Sequence, residues 1–130
     1  MVCLDTSFVI DLLRKSPAIN DLKDNIDSSG ELVFLPSPVL TELVSGLNLK
    51  NKEKELNAVN SLLSRVVILN LDKESAWRAG EIESDLRMRG ELIDIEDIMI
   101  SAIALENKET LVTRNKKHFE KIKGLNLIGY

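Results

Sequence analysis

The sequence predicts an α/β fold with a central, mainly parallel sheet of about five strands. Short apolar stretches such as VVILNL (66–71) recur along the chain, and a longer stretch with helical patterning separates each from the next. Strands that are apolar throughout are typical of parallel sheets covered by helices on both faces. The 130 residues suffice for one domain with a sizeable core, and without a repeat or linker we expect a single domain over 1–130.

The first half of the chain is predicted to contain two strands. The first covers Met1–Asp5, and Thr6 then caps a helix that ends near Lys15, before Ser16-Pro17. The other elements expected in this half are a helix over Ala18–Asp27, a turn at 28–30, an apolar strand over 31–35, a helix from Ser37-Pro38 to Leu47 and a polar helix over Lys50–Ser64.

The second half is predicted to contain three strands. Residues 66–71 form a buried strand, and Asp72 caps the longest helix, which ends near Arg89 at Gly90. The remaining elements are an apolar helix from Asp94 to Asn107, a strand over 110–113, a short helix from Asn115 and a last strand over Leu125–Ile128.

Composition and charge exclude several classes of protein. A formal net charge of -4 gives no overall attraction to nucleic acid, although residues 114–123 are strongly basic. The single cysteine, Cys3, excludes an internal disulfide. No stretch approaches the ~20 apolar residues of a membrane span, and the N-terminus lacks signal-peptide features. We therefore expect a reduced, cytoplasmic protein without membrane contact.

Four acidic residues are candidates for one site. In parallel sheets the ligand crevice lies beyond the carboxyl ends of the strands. Asp5 ends the first strand, Glu42 lies one turn inside the helix after the second, and Asp94 and Asp97 share one face at the start of an apolar helix. The alternatives are structural: Asp5 and Asp94 could cap helices, and Glu42 could be a solvated position.

Carboxylates that converge favour a divalent cation, because like charges a few ångströms apart do not all stay ionised without one. Mg²⁺ or Mn²⁺ fits such oxygen donors, whereas zinc requires histidine or cysteine; His118 lies in the basic segment and Cys3 in the core. A cation held in this way suits phosphodiester chemistry. Arg114, Lys116 and Lys117 are candidates for binding nucleic acid phosphates, the alternative being a solvated basic face.

This pattern resembles the PIN-domain ribonucleases, specifically the VapC toxins of prokaryotic VapBC toxin–antitoxin pairs. The resemblance rests on LDTSFVIDLL, the helix with Glu42, G-x-x-I-x-x-x-D-x-x-I-x-A around Asp97, and LVTRNKKHFEKIKGLNLI. It implies a PIN-like three-layer α/β/α sandwich. It also implies an endoribonuclease that uses Mg²⁺ or Mn²⁺ and hydrolyses RNA phosphodiester bonds with a metal-activated water.

The resemblance also implies roles for individual residues. Asp5 and Asp97 would ligate the metal directly, and Glu42 directly or through water; Asp94 matches an accessory acid. The accessory positions, which carry hydroxyls near the metal or the fourth acid of many relatives, are here Thr6, Thr113 and Asn115. Two departures are Asn115 in place of that acid and His118-Phe119 where many relatives have Asp-Phe.

The family further implies partners: an RNA substrate, a cognate VapB-type antitoxin and a second copy of the chain. The helices over 18–27 and 50–64 are expected to contribute to the antitoxin groove or the dimer surface. One alternative is a PIN-fold module that binds RNA or protein with weak or no nuclease activity. A phosphatase of the haloacid-dehalogenase type is disfavoured, because Ser7 stands where its second acid is needed.

Overall fold

The computed structural model describes residues 1–47 and 49–130 and contains one five-stranded sheet. Every pair of neighbouring strands is parallel, and the strand order is β3-β2-β1-β4-β5. The strands are β1 (Val2–Leu4), β2 (Val33–Pro36), β3 (Val67–Leu69), β4 (Thr110–Thr113) and β5 (Leu127–Gly129). The predicted α/β class and parallel sheet are therefore confirmed.

The helices alternate with the strands as the sequence predicts. They are α1 (Thr6–Leu13), α2 (Asn20–Ser29), α3 (Ser37–Ser45), α4 (Lys52–Leu63), α5 (Lys73–Met88), α6 (Ile95–Glu106) and α7 (Lys116–Phe119). Short 3₁₀ turns at Pro17–Ile19 and Leu49–Asn51 precede α2 and α4. No helix in the described parts of the chain is long and apolar enough to cross a bilayer.

The chain changes direction across the sheet between β1 and β4. It runs from β1 outward through β2 to β3, then returns to β4 on the other side of β1 and ends at β5. Because crossovers between parallel strands are right-handed, this reversal places helices on opposite faces and produces three layers. The carboxyl ends of β1 and β4 therefore flank the crevice in which such sheets bind ligands.

Helix α6 is the most deeply buried helix of the fold. Its residues Ile98, Ile100, Ser101, Ala102, Ile103 and Ala104 are all buried. It packs against α3, α5, β2 and β4, which explains why its sequence is apolar on nearly every side. Cys3 is also fully buried and has a free thiol. Its burial raises the pKa of that thiol to about 12.

Several sequence-based boundaries were wrong, each for a local reason. Thr6 is the first residue of α1 rather than its cap, and α1 ends at Leu13, shortly before Lys15 adopts a left-handed φ of 55°. The strand predicted as buried over 66–71 is shorter, and Val67 is exposed because β3 is the edge of the sheet. Helix α3 begins at Ser37, one residue earlier than expected, and Pro36 instead of Ser37 occupies the N-cap position.

Candidate metal and nucleic-acid site

Asp5 is a buried carboxylate held by two hydroxyl groups. It is 3% exposed, and its Oδ2 accepts hydrogen bonds of 2.7 Å from both Ser7 Oγ and Thr113 Oγ1. Its backbone N–H donates to the Val112 carbonyl of β4 at 3.0 Å. Although Asp5 stands at the N-cap position of α1, its side chain makes no capping bond. The side chain of Asp5 therefore does not cap α1.

Glu42 extends toward Asp5 from α3. Its Oε1 accepts a 2.9 Å hydrogen bond from Thr6 Oγ1, so the residue after Asp5 fixes the orientation of the second acid. Partial burial raises the pKa of Glu42, and repulsion from Asp5, Glu96 and Asp94 adds to the effect, whereas the Thr6 hydroxyl opposes it. The electrostatic coupling shows that these acids share one region.

Asp97 lies in the first turn of α6, with Asp94 at the N-cap position. Burial raises the pKa of Asp97 to about 6, and repulsion from Asp5, Glu42 and Asp94 contributes in the same direction. Asp94 makes no side-chain capping bond. Neither Asp94 nor Asp97 is therefore committed to the helix terminus by a hydrogen bond of the usual kind.

His118 is a member of this site that sequence reasoning missed. Its Nε2 lies 3.0 Å from Asp97 Oδ2, and the proximity of the imidazole opposes the rise in the pKa of Asp97. The sequence placed His118 in a basic segment and marked His118-Phe119 as a departure from the family pattern, but gave the imidazole no role in the site. One feature of the sequence could have indicated its place in the site. His118 follows Asn115 by three residues, so one turn of helix brings its side chain back toward the end of β4.

An open cleft of about 920 Å³ joins the acids to the basic segment. Asp94 and Asp97 line one side, and the other lining residues include Arg114, Asn115, Lys116, Lys117, His118 and Tyr130. The predicted phosphate-binding residues and two of the predicted acids thus border the same space. A polyanion in this cleft would meet lysines beside a group of carboxylates.

Comparison with known proteins identifies the family. The family model described as PIN domain matches residues 2–125. The chain belongs to the PIN-domain family. Ribonuclease VapC2 of Rickettsia felis is 30% identical over 126 residues, covering 94% of this chain and 92% of that protein. Ribonuclease VapC1 of Methanocaldococcus jannaschii is 31% identical over 129 residues, covering 99% and 86%.

The solved structures agree with this PIN-domain assignment. The crystal structure of VapBC2 from Rickettsia felis, bound to a DNA fragment from their promoter, superposes with a TM-score of 0.89 at 28% identity. The match covers 100% of this chain and 99% of the chain in that structure. Both the resemblance to VapC-type PIN domains and the predicted PIN-like α/β fold are therefore confirmed.

A second polar cluster in this PIN domain fixes Arg114, which sequence reasoning assigned to RNA binding. Arg114 Nη1 donates to both oxygens of Asp11, at 2.9 and 3.2 Å, and Tyr130 Oη donates to Asp11 Oδ2 at 2.6 Å. Asp11 is 6% exposed. The backbone N–H of Arg114 donates to Ser7 Oγ at 3.1 Å, which connects this cluster to the hydroxyl that holds Asp5.

The side-chain atoms of the candidate site are of the type that binds a hard divalent cation. They are carboxylate and hydroxyl oxygens, and burial, with repulsion from neighbouring acids, raises the pKa values of Glu42 and Asp97. In the described residues no three Asp, Glu, His or Cys side chains stand close enough to hold one metal ion. Each predicted ligand is instead turned to a protein partner: Asp5 to Ser7 and Thr113, Glu42 to Thr6, and Asp97 to His118.

Proposed function

We propose that this PIN domain, formed by residues 1–130, is an endoribonuclease toxin that depends on Mg²⁺ or Mn²⁺. The observation that supports it best is the group of acids around Asp97: burial raises the pKa of Asp97 to about 6, and repulsion from Asp5, Glu42 and Asp94 adds to the rise. The names of the ribonuclease relatives support RNA as the substrate. The adjoining basic cleft supports a polyanionic substrate.

Asp5, Asp97 and Glu42 would hold the cation, directly or through water, with Asp94 as an accessory acid. A divalent ion bound there offsets the charge of the carboxylates, lowers the pKa of bound water and stabilises charge on phosphodiester oxygens. The hydroxyls of Ser7 and Thr113 keep Asp5 in one orientation, and Thr6 does the same for Glu42. With its raised pKa, Glu42 is suited to accept a proton from the attacking water.

The test is cleavage of a single-stranded RNA by the purified protein with Mg²⁺, with Mn²⁺ and with EDTA. We expect cleavage only with a divalent ion, and a loss of at least about 100-fold in Asp5→Asn, because removal of a ligand also affects the activated water. Asp24→Asn is the matched control, since it makes the same change on the exposed face of α2.

Equal cleavage by wild type and Asp5→Asn would contradict the nuclease function. The alternative is a PIN-fold module that binds RNA or protein without cutting. Asn115 favours this alternative, because it lines the cleft with an amide where many relatives have a fourth acid. RNA binding without metal-dependent cleavage, in a protein that folds normally, would establish that alternative.

We further propose that a VapB-type antitoxin inhibits the protein and that the chain forms a homodimer. The solved VapBC complexes support the first partner. A groove of about 360 Å³ lined by α1, α3 and α4 includes Glu42 and Leu43, so a peptide lying there would reach one of the proposed ligands. Co-purification with the product of a neighbouring short reading frame, and loss of RNA cleavage in the complex, would test this.

A further inference from the structure

The imidazole of His118 contacts one of the proposed metal ligands, Asp97. His118 lies on α7, whose N-cap is Asn115, just beyond the end of β4 at Thr113, and 35% of its side chain is exposed. Its ring packs edge-to-face on Phe119, with centroids 5.7 Å apart, and Phe119 is 1% exposed. The buried neighbour and the helical backbone bond from His118 N–H to the Asn115 carbonyl hold the imidazole toward Asp97.

The separation between His118 and Asp97 matches two neighbouring ligands on one cation. Nε2 and Oδ2 are 3.0 Å apart. Two donors at right angles on an octahedral ion, each at about 2.1 Å, are also about 3.0 Å apart. Asn115, which lines the same cleft, supplies an amide where an acid would add a negative charge. His118 Nε2 is a nitrogen donor in the same cleft.

We infer that His118 Nε2 is a nitrogen ligand of the metal site, beside Asp97, and that it makes this PIN domain prefer Mn²⁺ to Mg²⁺. This rests on the proposed metal-dependent function and extends it. Mg²⁺ favours oxygen donors, whereas imidazole is accepted more readily by transition metals. A site with oxygen donors alone would discriminate less strongly between the two ions.

The chain offers an unusually direct test, because it contains one histidine. Any histidine nitrogen detected at bound Mn²⁺ in a tag-free protein therefore belongs to His118. Electron spin echo envelope modulation of the Mn²⁺ complex measures this coordination without reference to activity. We expect a nitrogen coupling of a directly bound imidazole, and its change to the ¹⁵N pattern when the protein is labelled with ¹⁵N-histidine.

The matching variant is His118→Gln, whose amide still donates a hydrogen bond toward Asp97 but supplies no imidazole nitrogen. We expect the coupling to vanish and Mn²⁺ affinity to fall by about tenfold, with a change of less than about threefold for Mg²⁺. Lys121→Gln, an exposed change just after α7, is the control and should leave both affinities unchanged. Titrations are made by calorimetry alongside melting curves.

The outcomes separate this inference from the function on which it rests. Bound Mn²⁺ without histidine coupling, or an unchanged Mn²⁺/Mg²⁺ ratio in His118→Gln, overturns it: His118 then only orients Asp97, and the metal site stands. Failure of the wild type to bind either ion overturns the metal-dependent function itself. If His118→Gln does not fold, the ¹⁵N comparison on the wild-type protein still decides.

Discussion

The surroundings of Asp97 disfavour the ionised form of its carboxyl group. Burial is the main cause of its raised pKa, and the neighbouring acids Asp5, Glu42 and Asp94 act in the same direction, against the single imidazole of His118. Between the ordinary pKa of 3.8 and the folded value of about 6, the folded protein holds a proton that the unfolded chain releases. The free energy of unfolding therefore falls as pH rises through this window.

Asp97→Asn should consequently stabilise the metal-free protein. We expect the variant to gain about 1 kcal/mol over wild type at pH 7.5, a figure that allows for solvent screening at this half-buried group, and to gain little at pH 4. Urea denaturation at the two pH values in the presence of EDTA measures the difference.

Bound metal should reverse the order of stability of wild type and Asp97→Asn. Mn²⁺ should raise the melting temperature of wild type but not that of Asp97→Asn, because binding to the folded state alone stabilises it. Asp24→Asn is again the control. A less stable Asp97→Asn at pH 7.5 without metal would show that Asp97 supports the start of α6 instead.

The four candidate acids could be singled out one by one, because each interrupts or begins an apolar segment. Their hydrogen-bond partners were less predictable. Ser7 and Thr113 are 106 positions apart and meet only because β1 and β4 are neighbours. Asp11, an acid within the apolar sequence of α1, was a visible signal that sequence reasoning did not use. Terminal Tyr130 gave no signal at all.

At the scale of elements, the helix starts differ in how their aspartates are used. Asp72 caps α5 through its bond to Ser75 N–H, and Ser75 returns a bond to the Asp72 N–H. Hydrogen bonds from the Ser75 N–H and the Ser75 hydroxyl to the Asp72 carboxylate lower the pKa of Asp72. Asp94 occupies the same position of α6 and makes no such bond. One aspartate serves the helix, and the other remains available to the cleft.

Two alanine substitutions test this difference. Asp72→Ala should reduce the free energy of unfolding by about 1 kcal/mol, the usual contribution of a cap. Asp94→Ala should change it by less than about 0.5 kcal/mol, since no capping bond is lost and repulsion with Asp97 is relieved. Chemical denaturation at pH 7.5 without metal measures both. A larger loss of unfolding free energy in Asp94→Ala would show that Asp94 caps α6.

Element types and order were predictable from periodicity and turn residues, but their ends were not. The 110–113 strand was located correctly because Lys108-Glu109 and Arg114-Asn115 bound it with polar residues. The helix over 18–27 was mislocated because Pro17 starts a 3₁₀ turn that passes directly into α2. Local sequence does not separate a 3₁₀ turn from the first turn of a helix.

For the molecule as a whole, charge distribution matters more than net charge. The chain carries -4 overall, yet Lys116 and Lys117 border the cleft that also contains Asp97. Long-range repulsion from a polyanion is screened at physiological salt, whereas contacts in the cleft act at short range. RNA binding should therefore depend on these two lysines rather than on the total charge.

The double variant Lys116→Glu/Lys117→Glu should bind single-stranded RNA more weakly and with a flatter salt dependence. Loss of two phosphate contacts reduces the slope of log K against log salt by about 1.4. Lys52→Glu/Lys73→Glu changes net charge equally on exposed helix starts away from the cleft and is the control. Equal weakening in both double variants would mean that only the total charge matters.

The burial of α6 fixes the position of Asp97 in the site. Asp97 is attached to a helix enclosed by the core, so that helix cannot shift without opening voids. His118 stands on a four-residue helix at the margin of the molecule. If the site rearranges when an ion binds, we therefore expect the change in α7 and not in α6.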